Sequence, residues 1–240
     1  MVDVSAWSGL VLGAEIAEGN RNSVWRASIG DTRVAVRRSR RSGPSLAWEL
    51  DLIDFLDGQG FVVPVAIRAD NGRRSVNDVV VQRWIDGRQP DSDGDWQQIA
   101  DELQRLHVVT SEYEQRPGCC SVVELDSMRR SVDADIDRMD SSAAAQVLAV
   151  FSQWVGAPTA VVHGDVWAPN LRVTADGAIG FLDWDESRVD ITAHDLSPLG
   201  VQVLDDAEHT AATRLSHAWE AANGWTAEPD YARRRLAELN

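Results

Sequence analysis

Little in this chain would tie it to a membrane, an oxidising compartment or a nucleic acid. No apolar run approaches the roughly 20 residues that a spanning helix requires. The N-terminus, with Asp3 early and no basic flank, does not read as a secretory signal. Only two cysteines occur, Cys119 and Cys120. Their adjacency is poor geometry for a bridge and leaves no framework elsewhere, so a reducing cytoplasm is expected. Positive charge is in deficit. A formal net charge of −15 and a pI near 4.6 disfavour binding to nucleic acid or to an anionic membrane. An acidic surface suits a cationic small molecule, and general solubility accounts for it equally well. Also missing are the G-x-x-x-x-G-K-[ST] loop of P-loop enzymes, any internal repeat, and any low-complexity tract or long linker.

What remains is ordinary globular composition, 44% hydrophobic and 25% charged. With 240 residues the chain can bury a substantial core, as one large domain or two small lobes. The informative stretch is His163-Gly164-Asp165-Val166-Trp167-Ala168-Pro169-Asn170, followed after a hairpin by Asp183-Trp184-Asp185. In kinase logic an Asp accepts the proton of the attacking hydroxyl. An Asn five residues later and a second Asp beyond the next strand hold the metal ions that bridge the ATP phosphates. Asp165, Asn170 and Asp183 have that separation. Mg²⁺ takes oxygen ligands and keeps several waters, so one carboxylate and one amide are a sufficient protein share.

The flanks support this reading. Val161-Val162 and Leu171-Arg172-Val173 read as short strands on either side of the loop. Asp176-Gly177 is a hairpin turn, and Ile179, Phe181 and Leu182 run into Asp183. Strand, loop, strand, turn and strand would bring the Asp165–Asn170 loop and the strand end at Asp183 to one place. The alternative is a pair of solvated loops, since Asp and Asn are common turn residues.

Taken together, His163-Gly164-Asp165, Asn170, Asp183-Trp184-Asp185 and Asp195-Leu196 resemble the phosphotransferase family of aminoglycoside phosphotransferases and choline kinase-like enzymes. The resemblance covers most of the chain and is highly specific from Val161 to Leu196. It implies an α+β, protein-kinase-like fold of two lobes with ATP between them. The small N-terminal lobe, residues 1–86, would be an antiparallel sheet with one helix. The larger lobe, residues 87–240, would be mainly helical. The resemblance also implies Asp165 as catalytic base, with Asn170 and Asp183 as metal ligands. Asp195 would brace the catalytic loop by accepting backbone hydrogen bonds, with His163 supporting the same loop. For Asp195 the alternative is a helix N-cap before Leu196.

In the first third, Leu10–Ile16, Val24–Ile29 and Arg33–Arg37 read as strands. The loop from Ala17 to Ser23 resembles in position the family's nucleotide-covering loop, which makes Asn22 and Ser23 candidate phosphate contacts. With one Gly and two Asn it also reads as a plain hairpin loop. Val34-Ala35-Val36-Arg37 sits where kinases have V-A-I-K. Arg37 would replace the phosphate-binding lysine, adding a planar fork to the charge; otherwise it is one surface residue of the basic run Arg37, Arg38, Arg40 and Arg41. Pro44-Ser45 opens a helix whose apolar side is Leu46, Leu50, Ile53 and Leu56, or Leu52 and Phe55, ended by Gly58 and Gly60. Glu49 is the candidate partner of Arg37, or a solvent-facing residue. Val62–Ile67 and Val76–Trp84 read as strands joined by a turn at Asp70-Asn71-Gly72. The segment from Gln82 to Gly87 would connect the lobes, so Arg83 and Trp84 are candidate nucleotide contacts; a core position is the other reading for Trp84.

Beyond it, Trp96, Ile99, Leu103 and Leu106 give an amphipathic helix from Asp95 to His107. Leu106-His107 resembles the family's ending of this helix, and His107 reads as a satisfied core histidine. Helices are expected from Ser121 to Val155 and from Leu196 to Leu239, the latter broken at Gly224 and Pro229. In the related enzymes C-terminal helices wall the acceptor pocket, which nominates Glu220, and with it Asp185, as acceptor contacts. The function implied is ATP- and Mg²⁺-dependent O-phosphoryl transfer, from ATP or another nucleoside triphosphate, to a hydroxylated small molecule. An aminoglycoside, another antibiotic, an amino sugar or a choline-like amine would all fit. A nucleotide-binding pseudokinase is the alternative, on the strength of Arg37. A metal-dependent hydrolase using His163, Asp165, Asp183 and Asp185 is disfavoured because no second His cluster exists.

Overall fold

A computed structural model of the chain describes residues 2–16, 23–41, 43–199 and 203–239. In chain order the strands are β1 (Leu10–Ile16), β2 (Ser23–Ile29), β3 (Thr32–Arg38), β4 (Ala66–Ile67), β5 (Ser75–Val76), β6 (Val79–Arg83), β7 (Thr159–Val162), β8 (Leu171–Val173), β9 (Ile179–Phe181) and β10 (Arg188–Ile191). The helices are α1 (Gly43–Gly58), α2 (Asp93–Val109), α3 (Leu125–Met128), α4 (Ser141–Phe151), α5 (Ala193–Leu196), α6 (Asp206–Gly224) and α7 (Pro229–Ala237). They form two compact units: Met1–Pro90 with Ala168–Asp185, and Asp91–Trp167 with Glu186–Asn240.

The first unit is built on an antiparallel sheet of order β1-β2-β3-β6-β4, with β5 paired to β6. Alternation along β3 decides its two faces. Val34 and Val36 are fully buried in a cluster with Trp7, Val79 and Val81. Val80 points the other way and packs on Leu46 and Leu50 of α1. Arg37 lies directly opposite Val80 in the β3–β6 register, so its side chain leaves the sheet on the α1 face. Both apolar stripes proposed for α1 are used: Leu46, Leu50, Leu52, Ile53 and Leu56 are all buried. The helix ends on Gly60, whose left-handed φ of +82° lets the Phe61 N–H reach back to the Leu56 carbonyl at 3.0 Å. The small sheet of β8 and β9 completes the unit, turned at Gly177 with φ +88°.

Two expected strands are interrupted. Only Ala66–Ile67 of the Val62–Ile67 run joins the sheet, because Pro64 has no N–H to give a ladder; Val62 instead bridges to Gly180. The run Val76–Trp84 is split by Asn77 and Asp78, both left-handed, which form a two-residue hairpin between β5 and β6.

In the second unit a cluster of buried side chains, among them Leu125, Ile136, Val147, Phe151, Ile191, Leu215 and Trp219, joins α3, α4, α6 and β10. Helix α2 is opened by a capping box between Ser92 and Asp95, and it buries Ile99, Leu103 and Leu106 while Trp96 is half-buried. The expected helix from Ser121 to Val155 is reduced to α3, a 3-10 turn at Ile136–Arg138, and α4. Arg129 turns left-handed (φ +62°) and the Ser131 hydroxyl accepts from the Asp133 and Ala134 N–H groups. Short polar side chains thus compete with the helix for backbone donors. The C-terminal helix likewise begins later than Leu196, at a capping box between Asp205 and Glu208. Its breaks fall at Gly224 and Pro229 as the sequence predicts. Cys119 and Cys120 are buried free thiols, and burial pushes Cys120 up to about 11. Among the described residues no helix is long and apolar enough to cross a membrane.

Candidate active site

A cavity of about 170 Å³ lies within the first unit. Its apolar lining includes Ile16, Val24, Ala35 and Leu182, and its polar lining includes Arg37, Asn170 and Asp183. Arg37 is 3% exposed and ion-paired with the fully buried Glu49, with its Nη1 3.9 Å from the Asp183 carboxylate. Burial alone would lower the pKa of the guanidinium. The negative charges of Glu49, Asp183 and Asp185 outweigh it and leave that pKa raised, so Arg37 stays cationic. The chain contains no lysine at all, every one of its 23 basic residues being arginine. No ammonium can therefore take the position of Arg37.

Asn170 ends a 3-10 turn, and its carbonyl accepts from the Leu182 N–H at 2.8 Å. That bond ties the turn to the strand end carrying Asp183. Asp183 sits in the left-handed region at φ +53°, a conformation Asp tolerates better than most residues and one that clusters at functional sites. An amide oxygen and a carboxylate lining one cavity are hard donors of the kind Mg²⁺ takes, and the residues present fit that ion. Among the described residues no three His, Cys, Asp or Glu side chains gather as a metal centre.

The other sequence-predicted contacts fall around this cavity in different ways. Arg83 and Trp84 line it, but the Arg83 guanidinium pairs with Asp57 at 3.1 Å and the Trp84 indole donates to Asp86. Ser23 is exposed at the start of β2. Asn22 lies outside the described residues. Asp185 faces Arg41, which approaches its carboxylate at 3.6 Å and donates to its carbonyl at 3.1 Å. Nothing in the sequence marks Arg41, one of several arginines in a basic run. Gln82, which donates to the Pro64 carbonyl beside the cavity, left no sequence signal.

In the second unit the loop carrying Asp165 is held from below by Asp195. Its carboxylate accepts the His163 N–H at 2.7 Å, the Gly164 N–H at 2.9 Å and the His107 ring at 3.1 Å. Burial would raise the Asp195 pKa; these hydrogen bonds and the two histidines hold it below 3.8. The residue at the N-cap of α5 is Thr192, not Asp195. His163 is fully buried, and its Nδ1 accepts from the Asp165 N–H at 3.3 Å. Gly164 has φ +83°, and a Cβ there would stand 2.7 Å from the Glu186 carbonyl. Only glycine fits this turn. Asp165 itself is exposed. Glu220 on α6 is held by Arg235 and by the Tyr231 hydroxyl at 2.6 Å.

The kinase-like fold, with the His163–Asn170 loop and Asp183 in it, belongs to one class: a phosphotransferase built on the protein-kinase plan. The model of the phosphotransferase enzyme family matches residues 13–237, and the chain belongs to that family. Among the solved structures that share the fold are three kinases. An aminopropanol kinase associated with a microcompartment is 18% identical with a TM-score of 0.65, over 98% of this chain and 91% of its own. The choline kinase LicA from Streptococcus pneumoniae is 14% identical with a TM-score of 0.62, over 95% and 92%. The amicoumacin kinase hAmiN, in complex with AMP-PNP, Ca²⁺ and Ami, is 16% identical with a TM-score of 0.60, over 96% and 80%. A search among curated proteins finds no match.

Proposed function

We propose that the protein is an ATP- and Mg²⁺-dependent O-phosphotransferase acting on a hydroxyl of a small molecule. The observation that carries this reading is the convergence of Arg37, Asn170 and Asp183 on one cavity under the N-terminal sheet. Arg37 offers a fixed cationic fork for phosphate oxygens, pre-oriented by Glu49. Asn170 and Asp183 would hold Mg²⁺, which when bound neutralises charge on the phosphates. Asp165 accepts the proton of the acceptor hydroxyl as its oxygen forms a bond to the γ-phosphorus. The bond from that phosphorus to the bridging oxygen breaks, releasing ADP and a phosphomonoester. Asp195 keeps the loop in position through its backbone donors.

The aminopropanol kinase, LicA and the amicoumacin kinase carry small hydroxylated acceptors in their names, which supports a small molecule here. Two free thiols suit a reducing cytoplasm. The test is nucleotide consumption with Mg²⁺ against a panel of hydroxylated amines, sugars and antibiotics, with product phosphorylation read by mass spectrometry. Turnover that is lost in Asp165→Asn supports the reading. Binding of Mg·ATP without transfer to any member would favour the pseudokinase.

A further inference from the structure

Residues two apart on a strand share a face, so Ala35 and Arg37 of β3 look the same way, as do Val80 and Gln82 of β6. Arg37 lies opposite Val80, and Ala35 lies opposite Gln82. Gln82 therefore stands one pair along the sheet from Arg37, a distance of about 7 Å. Ala35 and Gln82 both line the cavity of the first unit, beside the apolar side chains of Val24, Ile85 and Leu182. The short side chain of Ala35 leaves space there for a flat ring.

Gln82 is 6% exposed, and its side-chain amide donates to the Pro64 carbonyl at 3.1 Å. A carbonyl can only accept, so this bond fixes which way the amide lies; reversing it would set oxygen against oxygen. The Gln82 Oε1 is the atom left over. Among the described residues it has no hydrogen-bond partner, yet it is not sealed from solvent. On a buried side chain that lines the cavity, an accessible oxygen faces the cavity. Other polar side chains of the lining are engaged: Arg83 with Asp57, the Trp84 indole with Asp86, and Arg172 with the Pro169 and Leu171 carbonyls.

We propose that Gln82 selects the base of the nucleotide, taking a purine with an amino group at its 6-position and rejecting one with an oxygen there. This rests on the reading of the cavity as a nucleotide site with phosphates at Arg37. An adenine N6–H donates to Oε1 and completes the bonding of the amide. A guanine or hypoxanthine O6 instead brings a second acceptor to Oε1, and neither oxygen finds a proton. Turning the amide to offer its NH₂ to O6 would strip the buried Pro64 carbonyl of its donor.

The experiment measures, by calorimetry with Mg²⁺, the affinity of the parent and of Gln82→Met for three triphosphates that differ at the 6-position. They are ATP, purine riboside triphosphate with hydrogen there, and ITP with oxygen. In the parent, ATP should bind about tenfold tighter than purine riboside triphosphate and about 100-fold tighter than ITP. Gln82→Met keeps the length of the side chain and loses the acceptor. ATP should then fall to the level of purine riboside triphosphate, and its advantage over ITP should drop below about tenfold. A ratio of affinities is insensitive to the fraction of folded protein, and the order in the parent needs no variant. Equal affinity for ATP and ITP in the parent, or an unchanged ratio in Gln82→Met, would overturn the proposal alone. Binding of none of the three by the parent would overturn the nucleotide reading with it.

Discussion

Arg37 offers the sharpest separation of structural from chemical roles. Arg37→Ala removes a guanidinium that is 3% exposed, paired with Glu49, and 3.9 Å from Asp183. Deleting one partner of a buried pair costs about 3–5 kcal/mol because the other charge stays buried. For a chain of this length that corresponds to a fall in Tm of roughly 6–20 °C. If the side chain also holds phosphates, the lost charge-assisted hydrogen bond is worth about 1.5–3 kcal/mol, or roughly 10- to 150-fold in nucleotide Kd. The double variant Arg37→Met/Glu49→Leu removes both charges and should recover most of the stability while nucleotide affinity stays low. Arg37→Lys keeps a point charge but loses the fork, so transfer should persist at a reduced rate. Thermal denaturation, Mg·ATP calorimetry and transfer under saturating Mg·ATP read the three effects. An Arg37→Ala protein with unchanged Tm and unchanged nucleotide affinity would refute the argument. An inactive parent rescued by Lys would show a pseudokinase.

Three further outcomes are expected. Asp165→Asn should keep nucleotide affinity and lose about 10²–10⁴-fold in kcat, since size is preserved and the proton acceptor is gone; wild-type turnover would contradict the assignment. Asp183→Ala should weaken Mg·ATP binding far more than metal-free ATP binding in calorimetry, and equal losses would point to folding instead. Asp195 has a pKa below its ordinary 3.8, so its contribution to stability is complete above that pH and fades as pH falls through the lower folded value. The stability difference between wild type and Asp195→Asn, from urea midpoints, should therefore be constant near neutrality and shrink below pH 3.8. A gap that widened with acid would reverse the sign of the argument.

The residues proposed for catalysis stand out in the sequence because phosphoryl transfer would demand particular groups at short, local spacings. His163 to Asn170 is eight residues of one loop, and Asp183 is a single hairpin away. The same holds for α1, α2, and the breaks at Gly224 and Pro229, where apolar period, caps, glycine and proline act within a few residues. Pro64 and Asn77-Asp78 mark strand breaks in the sequence too, but the β-branched runs around them are the stronger local signal. What periodicity could not supply was pairing. That Arg37 meets Glu49 follows from its register opposite Val80, which places it on the α1 face. That Asp195 gathers His107, His163 and Gly164 depends on contacts 31 to 88 residues apart in sequence. Arg41 is one arginine among four until the fold sets it against Asp185. Local spacing thus determined which chemical groups the chain owns. Only the folded chain decided which of them are buried against opposite charge and which, like Asp165 and Trp167, face the solvent, because burial and ion pairing are set by residues distant in sequence.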